Sequence, residues 1–91
     1  MFRLTTSVPH MTTAQSISDR LAAVVVQAIR SAGLSQRAVA EKSGIPLVTL
    51  NRRLTGKAAF TVLEVAAVAE VVGVGVTELF LRAERAAELV A

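Results

Sequence analysis

The stretch from Leu34 to Lys57 gathers side chains suited to a polyanion. Arg37, Lys42, Arg52, Arg53 and Lys57 stand there against one acid, Glu41, while the rest of the chain holds five basic and six acidic residues. The excess behind the net charge of +3 therefore falls on this one unit, as neutralising a row of phosphates requires. Two groups in it also suit nucleobase edges: the Asn51 amide matches an adenine, and Arg52 matches a guanine or a phosphate. Arg53 lies nearer the inner side of its helix and is expected to snorkel to phosphate.

Other chemistries find few groups to use. The chain has no cysteine, which excludes disulfides, thiolate catalysis and cysteine zinc sites. Its one histidine, His10, has no paired carboxylate or G-x-S-x-G elbow to work with. Gly73-Val74-Gly75 lacks the third glycine and the strand-to-helix context of a phosphate loop. No enzyme activity, cofactor, metal or small-molecule substrate is expected.

Two short helices must hold the basic unit. Ser35 is a good N-cap for a helix reaching Lys42, and Leu34 can staple it by packing on Val39. Gly44 suits the left-handed residue that ends it, and Ile45 can staple the next helix through Leu50. That second helix is predicted over Pro46 to Leu54, with Pro46 at its first position and Thr55-Gly56 stopping it. Ala38, Val39, Ile45, Leu50 and Leu54 can then share a small core, and Ala40 allows the close crossing. Gln36 and Arg37 fall at the first helix's N-terminus, where backbone N–H groups and the dipole favour a phosphate.

Gln36, Ala40, Gly44, Ile45, Leu50 and Gly56 together resemble the pattern of the lambda repressor and Cro family of DNA-binding domains. The resemblance covers about residues 16 to 82. It implies an all-α fold, a compact five-helix bundle containing a helix-turn-helix, and a transcriptional regulator that binds an operator in double-stranded DNA. It gives Gln36 a phosphate contact and a bracing role. It gives base reading to Leu47, Val48 and Asn51, with Pro46 and Thr49 close by and the second helix in the major groove. The chain departs from the family here, because Pro46, Leu47 and Val48 stand where polar readers are common. Apolar side chains suit thymine methyl groups, so readout is expected to lean on those methyls and on groove shape.

The remaining helices read as support. A first helix is predicted from about Ser16 to Ser31, with Ile17, Leu21, Val24, Val25, Ala28 and Ile29 on one stripe. Residues 1–13 are expected to form a flexible arm, either merely solvated or carrying Arg3 to a minor groove, ahead of one domain over 14–91. Met11 offers a later translation start. Thr61 and Glu64 form a capping box for a helix over Val62 to Val72, with Phe60 stapling on Val65 and Gly73 as terminator. Val65, Val68, Ala69 and Val72 suffice for its core face, which leaves Leu63, Ala66, Ala67 and Val71 as surplus apolar surface. The last helix begins at Val76 with Glu78 in its first turn, and Val74, Val76 and Leu79 can close the core.

Beyond that closure, Phe80, Ala83, Ala87 and Val90 continue an apolar stripe that suits pairing of two copies. The lambda repressor domain also pairs through its fifth helix, so the expected regulator is a homodimer of phage repressor, Cro or antitoxin type. A pseudo-palindrome with half-sites about one helical turn apart would then be its target.

At 91 residues the chain affords one modest core, and with 53% hydrophobic residues but only three phenylalanines that core must be aliphatic. Glu64 and Glu70 interrupt the longest apolar run, and no signal-peptide pattern is present, so a soluble, cytoplasmic protein without membrane contact is expected. The competing reading is a helical protein-interaction module that uses the apolar face of the fourth and fifth helices.

Overall fold

The computed structural model describes the backbone of residues 9–90 and the side chains of residues 17–86. Among them run five helices and no strand: α1 (Pro9–Ser31), α2 (Gln36–Ser43), α3 (Leu47–Leu54), α4 (Val62–Val72) and α5 (Val76–Val90). None of these helices is long and apolar enough to cross a membrane.

Local chemistry sets most of the boundaries. Ser35 is extended, and its hydroxyl accepts from the Ala38 N–H at 3.0 Å, which satisfies one of the first-turn donors of α2. At the other end Gly44 sits at φ 81°, where a side chain would be strained, and donates its N–H to the Ala40 carbonyl. The Ser43 hydroxyl tightens the same turn by accepting from the Ile45 N–H at 3.2 Å. Thr61 and Glu64 make the expected reciprocal box, with the Glu64 N–H donating to Thr61 Oγ1 and the Thr61 N–H to Glu64 Oε1. The fourth helix accordingly begins and ends where its caps are written.

One aliphatic core joins all five helices. Leu21, Val25, Ala28 and Ile29 of α1 meet Val39 and Ala40 of α2, Leu50 and Leu54 of α3, Val65, Val68 and Ala69 of α4, and Leu79 and Ala83 of α5. Ile45 closes it from the turn. The most extensive packing runs between α1 and α5. The two helices of the motif rest on this frame: α2 packs on α3 and α4, and α3 on α2 and α1.

Three expectations need correction. The first helix starts at Pro9 and not near Ser16, so residues 9–13 belong to it and not to an arm; residues 1–8, with Arg3, lie outside the described residues. Proline loses no hydrogen bond in a first turn, and neither glycine nor a second proline interrupts the chain until Gly33. Ala83 is fully buried in the core, one turn after Leu79 on the same face of α5, and so is not available to a second copy. On α4, Ala67 and Val71 pack partly against the core. The exposed apolar pair there is Val62 and Leu63, at 68% and 82%. Ala87 and Val90 lie within α5, but their side chains are outside the described residues.

Candidate nucleic-acid interface

The motif's turn holds α2 and α3 so that the solvent side of α3 carries few obligations to the core. Leu50 is fully buried and Leu54 nearly so, which fixes the inner face of α3. Val48, Asn51 and Arg52 are consequently exposed, Val48 at 74%. Pro46 is exposed too, and it precedes the helix as its N-cap instead of opening it, with no side-chain cap bond. Thr49 is half-buried.

Leu47 does not join the outward set. It is half-buried and packed against the core, because it falls three residues before Leu50 and seven before Leu54, on the same side of the helix. Leu47 is therefore a core-edge residue with less free surface than expected of a base reader, and Val48 is the most exposed apolar side chain of α3.

The N-terminus of α2 lies against this edge. Gln36 and Arg37 are its first two residues, both exposed, and the Asn51 amide of α3 donates to Gln36 Oε1 at 3.3 Å. This bond ties α3 to α2. With Ser35 serving the Ala38 N–H, the backbone N–H groups of Gln36 and Arg37 stay open to an anion. After α3 the chain folds back, since the N–H groups of Lys57 and Ala58 both donate to the Arg52 carbonyl, at 3.0 and 3.3 Å. Thr55 Oγ1 donates to the Asn51 carbonyl at 2.8 Å and secures the same end. Lys57 is thereby held, exposed, just past the C-terminus of α3.

Arg53 is the departure with the largest electrostatic weight. Its Nε and Nη2 donate to the two carboxylate oxygens of Glu64, at 2.8 and 3.1 Å, and the paired side chains retain only 20% and 18% exposure. The Arg53 hydrogen bond, with help from the Thr61 N–H, holds the Glu64 carboxyl below the usual carboxylate range despite partial burial. Arg53 thus links α3 to α4, its guanidinium engaged by a carboxylate where a phosphate contact was expected. Spacing within one helix could not reveal this, because the partner is 11 residues away on another element. Glu64 itself was legible only as a capping residue.

Arg37, Arg52 and Lys57 have no ion-pair partner among the described residues, and they are exposed around Val48 and Asn51. The arrangement places cations on the flanks of a short helix and leaves its centre one amide and one apolar side chain. Such a layout is suited to gripping a duplex backbone while a helix lies in the major groove.

The profile of the helix-turn-helix family matches residues 26–79, more than half of the chain and all of the motif. Neither curated proteins nor solved structures include a match to this chain. The matched span takes in the last six residues of α1, the two motif helices, the capped α4 and the start of α5. The chain belongs to the helix-turn-helix family of lambda repressor/Cro-like domains, a family of DNA-binding transcriptional regulators.

Proposed function

We propose that this chain is a sequence-specific regulator of phage repressor, Cro or antitoxin type that binds double-stranded DNA as a homodimer, with α3 in the major groove. The observation that carries the reading is the free, exposed set Arg37, Arg52 and Lys57 disposed around the solvent face of α3. In the complex Arg37, the α2 N-terminus and Lys57 hold phosphates. Gln36 takes a phosphate and braces Asn51, Asn51 and Arg52 address base edges, and Val48 meets thymine methyls. Pro46 and Thr49 border the contact. With so few hydrogen-bonding readers, sequence preference draws also on groove shape.

Pairing is supported by a groove between α1 and α5, lined by Ile17, Thr77, Phe80, Leu81 and Glu84. Phe80 is half-buried there and Leu81 is 39% exposed, so an apolar stripe remains for a second copy even with Ala83 withdrawn into the core. A different observation favours a protein-interaction module: the exposed Val62 and Leu63 at the start of α4, which nothing among the described residues covers.

Sedimentation velocity with a mixed-sequence duplex across a salt series reads both halves of the proposal. The free chain is expected at dimer mass. About three phosphates neutralised per subunit give a dimer a slope of log affinity against log salt of roughly −5, so affinity falls on the order of 10³-fold between about 50 and 200 mM salt. A monomer whose retention ignores salt would overturn it and favour the interaction module.

A further inference from the structure

We infer that Glu64 acts as an internal substitute for a phosphate, holding Arg53 off the DNA backbone and keeping the sequence-independent affinity of the domain low. The inference rests on the DNA-binding reading above.

Three observations carry it. The two Glu64 oxygens meet Arg53 in the forked geometry with which a guanidinium grips a phosphate, at 2.8 and 3.1 Å. Free N–H groups remain on the far edge of Arg53, but an approaching phosphate meets a neutral pair whose carboxylate repels it. Partial burial leaves that repulsion less screened than between fully exposed charges. Second, Glu64 is not free to swing away, because the Thr61 N–H holds the same Oε1 at 2.9 Å. The cap of α4 thus fixes the carboxylate that engages α3. Third, Arg53 lines one cleft together with Gly56 and Lys57, the loop edge that carries an exposed cation. Released from Glu64, its guanidinium would stand beside Lys57, where a phosphate is proposed to lie.

The purpose follows from the reading edge. Val48 offers only apolar contact, Leu47 is turned to the core, and Asn51 shares its amide with Gln36. Base discrimination by hydrogen bonds therefore rests mainly on Arg52, and an extra phosphate contact would strengthen specific and non-specific binding alike. What matters against a genome of competing sites is the ratio between them. Withdrawing one cation per subunit lowers the non-specific background that weak readout must overcome.

The test compares wild type, Glu64→Gln, Arg53→Ala and the double variant on a mixed-sequence duplex over a salt series. Glutamine keeps a capping oxygen for the Thr61 N–H but removes the charge, and a helical circular dichroism signal reports that the variant folds. Glu64→Gln is expected to tighten low-salt binding and to steepen the salt slope by about 0.9 per subunit. Adding Arg53→Ala should return the slope to the wild-type value, which a merely structural role for Glu64 would not produce. Arg53→Ala alone should leave the slope unchanged, because a withheld guanidinium neutralises no phosphate; should Glu64→Gln unfold, Glu64→Ala releases Arg53 in the same way and is expected to give the same steeper slope. A wild-type slope in Glu64→Gln, or a slope about 0.9 per subunit shallower in Arg53→Ala, overturns the inference while DNA binding stands. A wild-type protein without any salt-dependent binding removes the DNA-binding reading and the inference together.

Discussion

Leu50→Ala is expected to lower the stability of the domain by about 2–5 kcal/mol, the range for truncating a fully buried leucine whose surroundings only partly collapse. Leu50 has no exposed surface and stands where α3 meets the rest of the core. In a chain this small, stability of about 5–15 kcal/mol is usual, so the loss is a large share of the whole. Thermal unfolding followed by circular dichroism should show a midpoint lower by on the order of 15 °C, at about 4–8 °C per kcal/mol. Val48→Ala, two residues away but 74% exposed, should change stability by no more than about 0.5 kcal/mol. The pair separates the face of α3 that holds the fold from the face proposed to meet DNA. Equal midpoints for Leu50→Ala and wild type would mean that α3 does not anchor the core.

Arg52→Ala is expected to weaken DNA binding by about 1–3 kcal/mol, roughly 5- to 150-fold, and to relax preference at one base position if the guanidinium grips a guanine. The side chain is exposed and unpaired among the described residues, so folding stability should stay within about 0.5 kcal/mol of wild type. Lys57→Ala is the informative companion, because giving up a phosphate there weakens binding to all sequences alike and makes the salt slope shallower by about 0.9 per subunit. Affinity series on duplexes selected for binding and on mixed sequence distinguish the two. Unchanged affinity in Arg52→Ala would exclude Arg52 from the interface.

Much of the scaffold was legible because its boundaries are local chemistry. Ser35, Gly44, Thr61 with Glu64, and Gly73 each act within four residues of their own position, and each does so in the folded chain. The core stripe of α1 and the inner face of α3 were legible for a similar reason, since helical periodicity alone puts Leu21, Val25 and Ile29, or Leu50 and Leu54, on one side. What sequence reading missed depends on distance or on small shifts of phase. Arg53 finds Glu64 across two elements, and no pattern within α3 announces it. Ala83 continues the buried line of Leu79, although its spacing from Phe80 reads equally well as a surface stripe. Leu47 sits at the border between inner and outer faces, where its spacing to Leu50 and Leu54 decides for the core. At Pro9 the Thr-rich stretch lacked periodicity, yet nothing in it stops a helix once proline has set the first turn.

These corrections narrow the proposed interface to a few residues. Leu47 keeps little free surface and Arg53 is held by Glu64, so the proposal rests chiefly on Val48, Asn51, Arg52, Arg37 and Lys57, with Gln36 as brace. Backbone amide shifts recorded by NMR while a duplex is added map that surface residue by residue. The result predicted is perturbation concentrated at Gln36, Arg37, Val48, Asn51, Arg52 and Lys57, with Val62, Leu63, Phe80 and Leu81 little changed. Perturbation centred on Val62 and Leu63, or on the α1–α5 groove, with α3 silent, would contradict α3 as the helix that enters DNA.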